Sequence, residues 1–217
     1  MKAVVFDMDS VLFDTERVCM DSWVNVAGRR GMQGMKDVFP LCIGRNNADD
    51  ELIIKEHYGA NFDYQGFRQE ASDEFWKMIR EQGLPQKKGV KELLAFLKED
   101  GWVIGLASST KRASIQNHLE NAGILDYFSF IIGGEEIKHS KPEPEIYLKA
   151  CKGLGAVPEE TYAIEDSYNG IRSASRAGMM PVMVPDLLPP TPEMEELSCV
   201  ILPDLFQVRE WLKERKG

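Results

Sequence analysis

Short apolar runs recur along the chain, each followed by a polar or glycine-rich turn and then by apolar residues at helical spacing. The runs are Ala3 to Phe6, Val103 to Ala107, Phe130 to Ile132, Tyr162 to Ile164, Pro181 to Val184 and Val200 to Leu202. Their shortness and their lack of polar alternation predict parallel strands buried on both faces. Between them, Val90, Leu93, Leu94 and Leu97 fall at i, i+3, i+4 and i+7, and Ile115, Leu119 and Ala122 at i, i+4 and i+7. Ile146, Tyr147, Ala150 and Leu154 follow a similar spacing. Strands alternating with amphipathic helices predict an α/β fold, a doubly wound parallel sheet.

From about Thr15 to Leu84 the rhythm breaks. This stretch holds no strand pattern and reads as helices near Glu16 to Arg29, Asp49 to His57 and Tyr64 to Arg80. Pro85 and Gly89 mark the return to the α/β pattern. The expected organisation is a discontinuous core, residues 1–14 and 85–217, interrupted by an α-helical domain over 15–84.

At 217 residues the chain suits one large domain, or one domain with an insertion. Its 26 Lys and Arg against 35 Asp and Glu give a net charge of −9, which argues against a general nucleic-acid or membrane-surface binder. No apolar run is long enough for a membrane helix. The N-terminal apolar stretch is broken by Asp7 and Asp9 and has no small-residue cleavage site after it, so a cytoplasmic protein is expected. The four cysteines are scattered and there are only three histidines, which disfavours a zinc site and predicts reduced thiols.

In an open parallel sheet, ligands bind beyond the carboxyl ends of the strands, near the switch point. Asp7 and Asp9 follow the first run, and Ser108, Ser109 and Thr110 the second. Lys141 lies beyond the third, and Glu165 and Asp166 follow the fourth. That set supplies what phosphoryl transfer to an aspartate needs: a nucleophilic carboxylate, an acid/base, a hydroxyl for phosphate oxygens, a cation, and further carboxylates for a hard metal. A carboxylate repels an anionic phosphate, so magnesium and Lys141 are the expected compensation. Taken alone, Asp7 and Asp9 could merely end a strand or cap a helix; carboxylates, hydroxyls and a lysine at four strand ends together point to a site.

FDMDSVLFDTE, LASST, HSKPEPEIY and IEDSYNGIRSASRAGM resemble, in order, the four motifs of the haloacid dehalogenase superfamily. The resemblance spans nearly the whole chain. It implies that the helical insertion is a cap placed between the first two motifs. Asp7 resembles the nucleophile that becomes aspartyl-phosphate, and Asp9 the general acid/base. Ser108 and the Ser109 amide resemble the phosphate-binding pair, and Lys141 the lysine that neutralises nucleophile and phosphate. Asp166, helped by Glu165 and joined by Asp7 and the Asp9 carbonyl, resembles the Mg2+ site. Ser10 departs from the glycine most often found there. An ester leaving as an alkoxide needs a proton donor, so Asp9 favours a phosphatase or phosphomutase over a dehalogenase.

The core motifs also resemble those of β-phosphoglucomutases, as does Trp23 in the first cap helix. Two cap groups implied by that likeness are absent: the helper histidine aligns with Cys19 and the phosphate-holding arginine with Asn47, although Arg45 is close by and Lys77 aligns with a cap lysine. The expectation is therefore a monomeric phosphatase for a small phosphorylated metabolite, with a mutase as runner-up and a receiver-like, non-enzymatic module as the remote alternative. Neither nucleic acid nor membrane is an expected partner. His57, His118 and His139 read as surface or structural residues. Tyr64, Phe75 and Trp76 read as packing within the helical domain.

Overall fold

The computed structural model describes residues 1–43 and 47–215. The chain divides into two compact units, Met1–Asp14 with Gln86–Gly217, and Thr15–Pro85. In the first, strands β1 (Ala3–Phe6), β2 (Val103–Ala107), β3 (Phe130–Ile132), β4 (Thr161–Glu165), β5 (Met180–Met183) and β6 (Val200–Ile201) form one sheet in the order β3-β2-β1-β4-β5-β6. Every pairing is parallel; Ala3 of β1 lies opposite Val103 on one side and Thr161 on the other. All four residues of β1 are fully buried, which is why the run carries no polar alternation.

The helices follow in chain order: α1 (Thr15–Arg29), α2 (Met35–Val38), α3 (Asn47–Tyr58) and α4 (Tyr64–Gln82) in the second unit. The first unit holds α5 (Val90–Glu99), α6 (Arg112–Asn121), α7 (Glu145–Leu154), α8 (Tyr168–Arg176), α9 (Pro192–Leu197) and α10 (Leu205–Lys213). Helix α7 packs Ile146, Tyr147, Ala150 and Cys151 into a core shared with Val5, Ala107 and Ala163 of the central strands. The sheet order reverses at β1: the chain moves from β1 outward through β2 and β3, then returns to place β4 on the other flank of β1. The crevice beyond the ends of β1 and β4 is thus the switch point.

The first unit closes where the chain re-enters it. Gln86 pairs with Phe13 in an antiparallel bridge, and the Lys87 amide donates to the Leu12 carbonyl at 2.9 Å. These bonds explain why Pro85 falls with the helices and Gln86 with the sheet.

In the second unit Trp23 is the centre of packing, with the rings of Phe39 and Phe67 edge-on to it at 5.2 and 5.3 Å. Arg29, which ends α1, and Arg30 just after it form ion pairs with Glu74 and Glu70 of α4 on the outside. Helix α2 and the 3-10 turn Phe39–Cys42 were not anticipated from spacing; four-residue pieces are too short to display a helical period. Tyr64 packs inside as expected, whereas Trp76 is 43% exposed and Phe75 half-buried. The buried stripe of α4 runs Tyr64, Phe67, Ala71, and Trp76 falls off it. The four cysteines are free thiols, and no described helix is long and apolar enough to cross a membrane.

Candidate active site

Strand β1 ends at Phe6, and the next residue, Asp7, is held to β4 by its amide, which donates to the Ile164 carbonyl at 2.9 Å. The chain then turns sharply. Leu12 and Phe13 amides both donate to the Met8 carbonyl, and Ser10 adopts φ 60°. That left-handed conformation suits glycine best and costs a serine some strain. The turn leaves Asp7 buried and Asp9 half-buried.

Lys141 reaches the same point from the segment before α7. Its ammonium donates to Asp7 Oδ1 and to Glu165 Oε1, both at 2.6 Å, and lies 3.4 Å from the Ala107 carbonyl. Glu165, the last residue of β4, is fully buried. Its Oε1 also accepts from Tyr147 Oη at 2.8 Å, while Oε2 accepts from the Asp166 amide, the Ser167 amide and Ser167 Oγ at 3.0–3.2 Å. With both oxygens engaged, Glu165 anchors Lys141 and the start of α8. Asp7, Glu165 and Asp166 lie close enough for one oxygen of each to meet a single cation.

Burial pushes the Asp7 carboxyl up to about 8, with the charges of Glu165 and Asp9 adding and Lys141 opposing. Burial, then Glu165 and Asp7, raises Asp166 well above the carboxylate range. Burial also works against the Lys141 charge, but Asp7 and Glu165 more than offset it and hold the ammonium well above an ordinary lysine. Glu165 is held low despite its burial, by Lys141 and by the donors around it. One lysine thus faces three carboxylates, and the cluster retains protons that a divalent cation would displace.

Asp9 is oriented from the end of β2. Its Oδ2 accepts from Thr110 Oγ1 at 3.0 Å and Ser108 Oγ at 3.3 Å, and the Thr110 amide donates to Ser108 Oγ at 3.0 Å. Ser108 is buried and Ser109 exposed. The structure therefore brings Asp7, Asp9, Ser108, Lys141, Glu165 and Asp166 together at the strand ends.

The candidates of the helical unit are placed differently. Asn47 begins α3 and its side-chain oxygen accepts from Arg68 Nη2 at 3.1 Å. Lys77 is exposed on α4. Burial, with Glu16 adding, pushes the Cys19 thiol up to about 12. Arg45 lies outside the described residues. His57 and His139 are exposed, and His118 packs its ring 6.2 Å from that of Phe13.

Tyr147 and Ser167 were not singled out as site residues from the sequence, and Thr110 was placed at a strand end without a role of its own. The signal for Tyr147 was a phenol on an otherwise apolar helical stripe, and Thr110 stands in the run LASST. Gly170 also matters: a Cβ built on it would collide with the Glu165 carboxylate. Gly170→Ala is therefore expected to displace Glu165 and with it Lys141, lowering turnover by ~10-fold or more while the far-ultraviolet circular dichroism stays the same. Unchanged turnover would show that the Lys141 anchor tolerates the shift.

A parallel sheet with an acidic, lysine-bridged cluster at its switch point is an α/β architecture with a candidate ligand site at its strand ends. Residues 1–178 match the family model of the haloacid dehalogenase-like hydrolases, and the chain belongs to that family. It is 31% identical over 179 residues to a phosphorylated carbohydrates phosphatase of Thermotoga maritima, covering 82% of each chain. It is 30% identical over 190 residues to the β-phosphoglucomutase of Bacillus subtilis, covering 85% of this chain and 83% of that one. A crystal structure from Thermotoga maritima that bears a provisional β-phosphoglucomutase name superposes with a TM-score of 0.82 at 28% identity, over 99% of both chains.

Proposed function

We propose that this protein is a magnesium-dependent phosphatase that hydrolyses a small phosphorylated metabolite, a sugar, polyol or nucleoside phosphate, through an aspartyl-phosphate. The observation that carries the reading is the Lys141 ammonium bridging Asp7 and Glu165 at the switch point, beside an Asp9 aimed by two hydroxyls. Asp7 attacks phosphorus; an oxygen–phosphorus bond forms as the bond to the ester oxygen breaks, and Asp9 gives its proton to the departing alkoxide. Water, deprotonated by Asp9, then attacks the phosphorus of the acyl phosphate, releasing inorganic phosphate and restoring Asp7. Lys141 compensates the charge gathered around Asp7, and the Ser108 hydroxyl and Ser109 amide donate to phosphoryl oxygens.

The donor set fits a hard cation: carboxylates with excess negative charge, and no cysteine or histidine among them. Asp7, Asp166 and the Asp9 carbonyl would hold Mg2+, with Glu165 supporting from behind. When bound, the ion supplies positive charge to the phosphoryl oxygens. The helical unit is read as the cap that selects substrate. The names of two relatives, a phosphorylated carbohydrates phosphatase and a β-phosphoglucomutase, support a carbohydrate ester.

Phosphomutase is the second reading, favoured by the arginine that sits on Asn47. A mutase must hold whichever phosphate is not reacting, and a guanidinium is the best group for that. The assay that separates the two supplies β-glucose 1-phosphate with catalytic glucose 1,6-bisphosphate, and follows glucose 6-phosphate and free phosphate together. Net phosphate release, there and across a panel of sugar, polyol and nucleoside phosphates, is the expected result. Fast formation of glucose 6-phosphate with little free phosphate would replace the phosphatase by the mutase.

A further inference from the structure

The end of β5 has no part in the phosphatase reading above. Strand β5 lies beside β4, with Met183 opposite Glu165, and the Val184 amide donates to the Glu165 carbonyl at 2.7 Å. The chain then leaves the sheet through Pro185, and Asp186 follows. Asp186 thus stands one strand over from Glu165 and Asp166, at the same end of the sheet and within the same unit.

Its two carboxylate oxygens have different surroundings. Oδ1 accepts from the Lys87 ammonium at 2.5 Å. Lys87 is fixed where the chain re-enters the first unit: its amide donates to the Leu12 carbonyl at 2.9 Å, and its ammonium also lies 3.6 Å from Asp14 Oδ1. Oδ2 is buried and has no hydrogen-bond partner among the described residues. An ion pair kept only for stability gains little at the surface, and a second oxygen buried without a donor works against it. Native proteins keep an oxygen in that condition where a water or an ion completes it.

The neighbouring cluster can supply the donor. Asp7, Glu165 and Asp166 are the carboxylates that can meet on one cation among the described residues. Asp186 is not one of them, yet it lies close enough for its negative charge to add to the rise of the Asp166 carboxyl. It is therefore near the cation site without being a ligand. Mg2+ parts with its waters reluctantly and is held through a few carboxylates, with waters filling the octahedron. Groups just outside the ligands hold those ligands in place and tune the affinity of the site.

We propose that Asp186 is a positioning residue for the divalent cation: Lys87 holds its Oδ1, and its Oδ2 accepts a hydrogen bond from a water carried by the ion at Asp7 and Asp166. This assignment rests on the magnesium reading above.

Calorimetric titration of the full chain with magnesium chloride tests it without turnover. Asp186→Asn keeps the shape and removes the charge, and is expected to weaken magnesium binding by ~10- to 100-fold, the usual loss when a group behind a metal ligand is removed. Asp14→Asn is the control: it takes one negative charge from beside the same lysine, but not at the end of β5. Its magnesium affinity should stay within ~3-fold of the parent, because a charge that meets the ion only through solvent is screened. Melting temperatures without metal establish that the variants are folded; should Asp186→Asn fail there, Asp186→Ser takes its place with the same expectation. A merely structural ion pair would lower the metal-free melting temperature in both variants and leave both magnesium affinities alone. Unchanged affinity in the Asp186 variant, or an equal loss in the two, would overturn the proposal and leave the magnesium reading standing. No magnesium binding by the parent would overturn the magnesium reading itself, and this assignment with it.

Discussion

Asp7→Asn is expected to lower turnover by at least ~10³ while leaving the fold unchanged, because an amide can neither attack phosphorus at a useful rate nor carry an acyl phosphate. Asparagine has nearly the same shape, and β1 behind it is fully buried and unaltered. The fold should gain from the change: it removes a carboxyl that burial and its acidic neighbours have pushed up to about 8, and leaves Lys141 paired with Glu165. The melting temperature of the variant is thus expected to match or exceed that of the parent. Turnover within ~10-fold of the parent, with the protein shown to be folded, would remove Asp7 from the role of nucleophile.

Chelation should be nearly as severe. With EDTA in excess, activity is expected to vanish, and to return with added magnesium, because Lys141 alone does not compensate three clustered carboxylates and an incoming phosphate. The pH dependence follows from the same cluster. Asp7 moves from 3.8 in its ordinary state to about 8 in the fold, so between those values the folded chain holds a proton that the unfolded chain has released. Metal-free stability should therefore fall steadily as pH rises through that window and level off above pH 8. Asp166, raised by burial and by Glu165, acts in the same direction. A divalent cation replaces these protons, so its affinity and its effect on melting temperature should both grow from pH 6 to pH 8.5, with proton release on binding. Calorimetry in buffers of different ionisation enthalpy measures that release. Full activity in EDTA, or magnesium stabilisation that does not change with pH, would contradict the assignment of the cation to this cluster.

Much of this molecule follows from local pattern. An unbroken apolar run as short as Ala3 to Phe6 suits a strand covered on both faces better than a helix, and six such runs separated by helical spacing leave little room for another architecture. Because ligands of such sheets gather at the strand ends, the residues just after each run were the place to look, and Asp7, Ser108 and Asp166 stand there, with Lys141 farther along the chain past the third run. Other features depend on distances that no local period encodes. Lys141 meets Asp7 across 134 residues of chain, through the pairing of β1 with β4 and the docking of α7 on the sheet. That Tyr147 serves Glu165, that Gly170 makes room for it and that Thr110 aims Asp9 are consequences of which strands became neighbours. The helical unit was the least legible part, because its short pieces lack a period and its core is organised by one side chain, Trp23. By sequence alone Asn47 is a neutral amide. The tertiary structure decides that it carries an arginine, since packing α3 and α4 around Trp23 is what brings Arg68 to it.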